Sequence, residues 1–201
     1  MASKLVVSTF LSLDGVMQAP GGPREDDFGG FQQGGWLVPH VDDDFNRIMA
    51  EQFDRADAML IGRRTYTIMA AFWPDVPDDQ GGAKINSMRK YVATRHPLDA
   101  EWHNTEVLLG EAAETVAALK ARMEGEILVQ GSSVLNRTLH EANLVDEYRL
   151  LVFPVVLGQG KRLFDDGTAP AGLRLLNSTT TQSGVVYSTY EWQGAPLRGS
   201  L

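Results

Sequence analysis

Hydrophobic residues along the chain follow two different spacings. Short, mainly apolar runs, which are typical of buried strands, occur at residues 4–11, 58–61, 91–94, 105–108, 126–129 and 147–153. Between them, apolar residues recur at helical spacing in residues 42–55, 62–72, 111–123 and 134–142. Strands that alternate with helices in this way predict a mainly parallel sheet covered by helices on both faces.

The last apolar segments break this alternation. Residues 173–181 and 185–192 are both typical of strands, and only Gln182-Ser183-Gly184 separates them, which predicts an antiparallel hairpin at one edge of the sheet. Glycine- and proline-rich residues 14–35 and 73–83 are predicted to be loops. Since no internal repeat or linker interrupts the pattern, residues 1–201 are predicted to form one α/β domain with three αβα layers.

Composition narrows the classes of function. The 201 residues include no cysteine, which excludes disulfides and thiolate chemistry, and the net charge of −8 disfavours nucleic acid and anionic membranes as partners. No apolar run reaches the length of a membrane span, so we expect a cytoplasmic protein. The four histidines lack the spacing of metal ligands, and Asp42-Asp43-Asp44 is better explained by helix capping, so no metal site is expected.

Candidate chemistry begins at Gly62-Arg63-Arg64-Thr65, where a predicted strand passes into a helix. Free N–H groups and the positive end of the dipole suit a helix start to a phosphate, and neighbouring guanidinium groups add bidentate donors. Basic residues are electrostatically unfavourable at this end of a helix unless an anion is present. The alternative is a solvated helix start that is basic by chance.

Three further polar segments follow predicted strands. They are Asp14, the Thr94-Arg95 pair and the Gly131-Ser132-Ser133 turn. Ligands bind at the carboxyl ends of the strands in open α/β sheets, so these segments are candidates for a shared site. Asp14 could bind a donor group of a substrate or transfer a proton. Each segment also has an ordinary interpretation, respectively an Asp-Gly turn, a polar strand end and a serine N-cap.

The ordered set of these segments resembles the dihydrofolate-reductase-like superfamily, and within it the reductase domain of riboflavin biosynthesis and its stand-alone bacterial relatives. The matching segments are Ser12-Leu13-Asp14-Gly15, Gly62-Arg63-Arg64-Thr65-Tyr66, Val92-Ala93-Thr94-Arg95, Val129-Gln130-Gly131-Ser132-Ser133-Val134-Leu135, Leu144-Val145-Asp146-Glu147 and Phe153-Pro154-Val155-Val156-Leu157-Gly158. The resemblance implies a central, mixed but mainly parallel sheet with NADPH across its carboxyl edge, and a homodimer.

The same resemblance implies roles for individual residues. The 2′-phosphate side of NADPH would be held by the residues of the first basic turn and the strand end, namely Gly62, Arg63, Arg64, Thr65, Thr94 and Arg95. The rest of the cofactor would lie against the second turn, made of Gly131, Ser132, Ser133, Val134 and Leu135. Asp14 would face the substrate as the catalytic residue, and the aromatic wall of the substrate pocket would be Trp36, Trp73 and Phe153.

The resemblance therefore implies an NADPH-dependent reductase that transfers a hydride to a small heterocyclic or carbonyl substrate. The implied relative is the 5-amino-6-(5-phosphoribosylamino)uracil reductase of riboflavin biosynthesis. Enzymes that reduce that compound typically have glutamate where this chain has Gln130. A non-catalytic small-molecule-binding protein on the same fold is the alternative.

Overall fold

The computed structural model describes residues 3–200. Its strands are β1 (Lys4–Ser12), β2 (Ala58–Gly62), β3 (Arg89–Thr94), β4 (Thr105–Leu109), β5 (Glu126–Gln130), β6 (Glu147–Phe153), β7 (Leu173–Thr180) and β8 (Val186–Trp192). Its α-helices are α1 (Asp43–Arg55), α2 (Arg63–Ala70), α3 (Gly82–Ser87), α4 (Ala112–Arg122) and α5 (Ser133–Glu141). Within residues 3–200, no helix combines the length and the apolar character that a membrane crossing requires.

All the strands belong to one sheet with the order β4-β3-β2-β5-β1-β6-β8-β7. The first six strands in that order are parallel to their neighbours, whereas β8 pairs antiparallel with β6 and with β7. The mainly parallel sheet and the C-terminal hairpin predicted from the sequence are thus confirmed.

Helices cover both faces of the sheet because side chains alternate along each strand. Leu5 and Val7 of β1 belong to a core cluster that also contains residues of α4 and α5. Val6, between them, belongs to the cluster that contains residues of α2 and α3, and α1 packs on that same side of the sheet over β6. These layers give the predicted αβα arrangement. As predicted, Asp42 caps α1, since its carboxylate accepts a hydrogen bond from the Phe45 N–H at 2.8 Å.

Helix α3 is the element that the apolar pattern did not predict. The region before it was expected to be loop and contains single 3-10 turns at Trp73–Asp75 and Asp78–Gln80. A Cβ at Gly82 would lie 2.0 Å from the Val76 carbonyl oxygen, so only glycine lets the chain enter the helix this close to the preceding backbone. The helix is too short to show a clear period, and Ile85 alone anchors it deeply in the core, with 3% of its surface exposed.

A buried ion network lies near the amino ends of the central strands. The Arg149 guanidinium donates two hydrogen bonds to the Glu126 carboxylate, at 2.7 and 2.6 Å, and its Nε donates to Glu147 at 2.7 Å. Lys4 completes the network with a 2.6 Å contact to Glu147. The side chain of Arg149 is only 2% exposed, so its charge depends on these carboxylates for compensation.

Candidate functional site

The polar segments singled out in the sequence begin at one edge of the sheet. Gly62 of β2 is in register with Ala93 of β3, and β2 also pairs with β5, which ends at Gln130. The turns after these parallel strands are therefore neighbours at the carboxyl edge. This is the edge at which ligands bind in open α/β sheets.

Ser132 joins two of these turns. Its Oγ accepts a hydrogen bond from the Gly62 N–H at 2.9 Å, and its hydroxyl donates to Oγ1 of Thr65 at 2.9 Å. Ser132 adopts a left-handed conformation with φ 65° and ψ 62°, which is uncommon for a serine and aims the side chain away from its own helix. The basic turn and the Gly-Ser-Ser turn are thus fixed to each other by side-chain contacts.

Gly131 makes this close approach possible. Its φ is +61°, and a Cβ at this position would lie 3.3 Å from Cγ2 of Thr65, so a larger residue would be strained and crowded. The Asn136 side-chain amide donates to the Gly131 carbonyl at 2.7 Å and holds the turn in place. The turn therefore presents its backbone at close range beside the start of α2.

The two helices that follow these turns begin without side-chain caps. Neither α2 nor α5 receives a side-chain hydrogen bond at its N-cap, since the cap of α2 is Gly62 and the Ser132 hydroxyl is engaged with the other turn. The N–H groups of a first helical turn have no partner within the helix. Two sets of such donors lie side by side at this edge and favour an anion.

Two of the predicted basic residues extend into solvent beside this edge. The side chain of Arg63 is 48% exposed and lies 3.6 Å from Asp99, and that of Arg95 is 70% exposed and lies 3.9 Å from Glu111. Exposed pairs of this length are weak and leave the guanidinium groups available to another anion. The Thr94 hydroxyl is used locally, because it donates to the His96 carbonyl at 2.8 Å and accepts from the His96 N–H at 3.0 Å.

Arg64 differs from its neighbour, because its partner comes from the long loop after β1. Its Nη2 lies 2.5 Å from Oδ1 of Asp26, and its guanidinium stands 5.2 Å from the centre of the Phe28 ring. In this conformation the charge of Arg64 is matched within the protein.

Asp14 lies after β1 and holds the loop that follows β6. Its carboxylate accepts hydrogen bonds from the Ser12 hydroxyl at 2.7 Å and from the N–H groups of Leu157 and Gly158 at 3.0 and 2.8 Å. These donors, led by the Ser12 hydroxyl, lower the pKa of Asp14 to about 2. The carboxylate is ionised at neutral pH and has a clear structural task, while the proton transfer expected from the sequence stays a prediction.

Two of the three predicted aromatic residues meet. The Trp36 and Phe153 rings pack edge to face with centroids 5.3 Å apart, and the Trp36 indole N–H donates to the Gln18 carbonyl at 2.8 Å. Trp73 does not join them: it packs against a different core cluster, on the side of α2 and α3, and against the exposed ring of Phe72. Trp36 and Phe153 thus form a buried aromatic pair near the ends of β1 and β6, without Trp73; we call this pair the Trp36–Phe153 wall, and its role beside a substrate stays a prediction.

The model of the RibD C-terminal domain family matches residues 3–187. The chain belongs to this family. Among curated relatives of this RibD C-terminal domain protein, YyaP from Bacillus subtilis is 28% identical over 196 residues, which cover 95% of this chain and 96% of that protein. The family resemblance drawn from the ordered sequence segments is confirmed.

Solved structures agree on the fold of this RibD C-terminal domain protein. A riboflavin-biosynthesis-like protein from Shewanella sp. PV-4 superposes with a TM-score of 0.70 at 22% identity, covering 96% of this chain and 99% of that one. A dihydrofolate reductase from Enterococcus faecalis in complex with NADP(H) superposes with a TM-score of 0.61 at 16% identity, covering 94% and 96%. The dihydrofolate-reductase-like fold is therefore confirmed.

In this RibD C-terminal domain protein, the structure adds a buried position, Ser8, beside Gln130, which the sequence had already singled out. Oε1 of Gln130 and Oγ of Ser8 are buried, and neither has a hydrogen-bond partner within residues 3–200. The two residues are in register on β5 and β1, so their side chains share a face of the sheet. Native proteins rarely leave buried polar atoms without partners, so these two atoms retain hydrogen-bonding capacity for a water molecule or a ligand. Ser8 had no sequence signal, because a serine within an apolar run is typical of an ordinary strand.

Proposed function

We propose that this protein is an NADPH-dependent reductase that transfers a hydride to a small heterocyclic or carbonyl substrate. The observation that carries the proposal is the Ser132 link, which fixes two uncapped helix starts side by side at the carboxyl edge of the sheet. Membership of the RibD C-terminal domain family supports a reductase related to riboflavin biosynthesis. The similarity in fold to a reductase that binds NADP(H) supports the choice of cofactor.

The residues at this edge fit a dinucleotide with an additional phosphate. A side chain at Gly131 would crowd Thr65, and the first turns of α2 and α5 offer N–H donors that suit a pyrophosphate. Arg63 and Arg95 would hold the 2′-phosphate, because guanidinium groups bind phosphate monoesters through paired donors. When bound, NADPH supplies a hydride to an electrophilic carbon.

On the substrate side, the protein's own residues would position the substrate and shield it from water. Gln130 directly precedes the Gly131 turn, and its unpartnered Oε1 would accept a hydrogen bond from an N–H group of the substrate. The Trp36–Phe153 wall would exclude water, which strengthens such polar contacts. Asp14 would keep residues 157–158 in place beside this wall.

Titration with NADPH and NADH, followed by tryptophan fluorescence and thermal unfolding, tests the proposal. NADPH at 100 times its Kd should stabilise the fold by roughly 2.7 kcal/mol. Arg63→Ala and Arg95→Ala should reduce affinity for NADPH far more than affinity for NADH, since only the former carries the 2′-phosphate. Arg47→Ala, an exposed arginine on α1, is the matched control. Equal losses for both cofactors would contradict the assignment, and no stabilisation by saturating NADPH would refute the proposal.

A non-catalytic binding protein remains the alternative function on this fold. It would bind small molecules without consuming NADPH, so the loss of NADPH absorbance in the presence of candidate substrates separates the two. Complementation of a riboflavin auxotroph would show whether the substrate is the aminouracil precursor.

We also propose that the protein works in the cytoplasm as a homodimer. Every residue of β7 is exposed, and Leu173, Leu175 and Leu176 lie on this open strand at the edge of the sheet. Open edge strands with apolar side chains favour pairing with another chain. Light scattering of the purified protein would give twice the 22.1 kDa mass of one chain if the proposal is correct.

A further inference from the structure

The loop between β1 and α1 contains an exposed strap, which we define as residues 20–30. Ala19 and Phe31 at its two ends are buried, with 4% and 5% of their surfaces exposed, whereas none of the residues between them is buried. Glu25 keeps the strap folded, because its carboxylate accepts hydrogen bonds from the Gly21 and Gly22 N–H groups at 2.6 and 3.1 Å. The strap is therefore a locally ordered unit between two fixed ends.

Asp26 connects the strap to both sides of the carboxyl edge. One carboxylate oxygen lies 2.5 Å from Nη2 of Arg64 in α2, and the other lies 2.5 Å from Nζ of Lys161, in the segment after β6. The Phe28 ring adds to this contact, since the two cations stand 5.2 and 4.8 Å from its centre. The Asp26 side chain is only 11% exposed, so the ion pairs are partly shielded from water.

A second connection ties the strap to its own base. The Gln18 amide donates to the carbonyl oxygens of Asp26 and Phe28 at 3.0 and 2.9 Å, and its Oε1 accepts from the Lys161 N–H at 3.0 Å. Gln18 directly precedes Ala19, the buried residue at the start of the strap, so these bonds hold the strap against the segment that contains Lys161. Within residues 3–200, the hydrogen bonds and ion pairs that join the strap to α2 come from Asp26 alone.

We propose that the strap is a lid over the carboxyl edge, closed by Asp26, and that an anionic ligand opens it by competing for Arg64. Arg64 is the second residue of α2, at the helix start where the Proposed function places the phosphates of NADPH. The carboxylate of Asp26 now occupies one donor of that guanidinium, Nη2. A ligand phosphate that takes the same donors displaces Asp26, and the strap loses its connection to α2. The identity of the ligand rests on the proposed function, while the lid itself does not.

Hydrogen exchange of the unliganded protein tests the lid. In Asp26→Asn, amides of residues 20–30 should exchange about tenfold faster than in the wild type, which corresponds to about 1.4 kcal/mol of lost closing energy. Arg64→Gln should also accelerate exchange, but less, because Asp26 keeps its ion pair with Lys161, and equal melting temperatures would show that both variants fold. Asp27→Asn, the adjacent exposed carboxylate, is the matched control and should leave exchange unchanged. Unchanged exchange in Asp26→Asn and Arg64→Gln, or equal acceleration in Asp27→Asn, would overturn the lid.

The competition is tested with two probes. Sodium pyrophosphate should accelerate exchange of the strap in the wild type more than sodium chloride at equal ionic strength, and should bind Asp26→Asn more tightly. NADPH should likewise bind Asp26→Asn several-fold more tightly, because no internal carboxylate opposes it. Weaker or equal binding of pyrophosphate to the variant would overturn the competition. Failure of NADPH alone to bind any variant would refute the proposed cofactor, while exchange and pyrophosphate still decide the lid.

Discussion

Replacing Asp14 with asparagine removes a charge on which the loop after β6 depends. The wild-type carboxylate accepts hydrogen bonds from Ser12, Leu157 and Gly158, and the Arg162 guanidinium lies 3.5 Å from it. An asparagine keeps one acceptor oxygen and turns the other into a donor that faces an N–H group. The variant should therefore fold but lose stability at neutral pH.

The size of this loss follows from the pKa of Asp14, which is lowered from 3.8 to about 2, chiefly by the Ser12 hydroxyl and then by the Leu157 and Gly158 N–H groups. A shift of this size corresponds to roughly 2.4 kcal/mol as an upper limit. The side chain is 22% exposed, and solvent screening reduces the contribution to about 1–2 kcal/mol.

The direction of the pKa shift determines how the stability difference between wild type and Asp14→Asn changes with pH. Because the pKa in the folded state lies below that in the unfolded state, the stabilisation is fully present above the unfolded value of 3.8 and is lost as the pH falls through about 2. Urea unfolding should show Asp14→Asn to be less stable than the wild type at pH 7, with the difference shrinking towards pH 2. Asp27→Asn is the exposed control. A difference between wild type and Asp14→Asn that stays constant with pH would refute the reasoning.

Two further substitutions test the fold and the site. Arg149→Met leaves Glu126 without its ion-pair partner and Glu147 with Lys4 alone, and urea unfolding should show a loss of about 3–5 kcal/mol. Gly131→Ala places a Cβ at φ +61°, 3.3 Å from Thr65, and should cost about 1–2 kcal/mol in thermal unfolding. It should also weaken NADPH binding in a fluorescence titration, because the turn that seats the cofactor must shift.

Each of these substitutions has a matched control. Arg174→Met removes an exposed arginine paired with Glu191 on the hairpin and should cost less than about 1 kcal/mol. A similar cost for both arginine variants would show that the buried network is unimportant. Gly194→Ala also changes a glycine of positive φ, +81°, with no neighbour within 4 Å. If it weakened NADPH binding as much as Gly131→Ala, the effect would not come from the turn.

The sheet was predictable because most of its strands carry short apolar runs, and the alternation of strands with helices predicts parallel pairing. The positions of the polar turns followed from the same rule, since each comes directly after a strand. Helix α3 was not predicted, because its six residues are too few to show a helical period. Local patterns thus define elements well when the elements are long.

Contacts between segments that are distant along the chain could not be predicted from the sequence. A serine before a helix is typical of an N-cap, yet the Ser132 side chain bonds to Gly62, 70 positions away. Arg64 was expected to face a cofactor, yet it pairs with Asp26, which lies 38 positions away in a loop without periodicity. Such partners depend on how loops fold across the sheet edge, and no local propensity encodes that.

The Arg149 network also bears on how accurately the sheet assembles. Tyr148 and Leu150, the neighbours of Arg149 on β6, point into the apolar core on the side of α4 and α5. If β6 paired with β1 one residue out of register, the guanidinium would enter that apolar layer and lose its carboxylates. A buried charge without a partner is far more costly than a shifted leucine. The network therefore penalises misaligned pairings during folding and leaves one register for the strand that connects the parallel sheet to the hairpin.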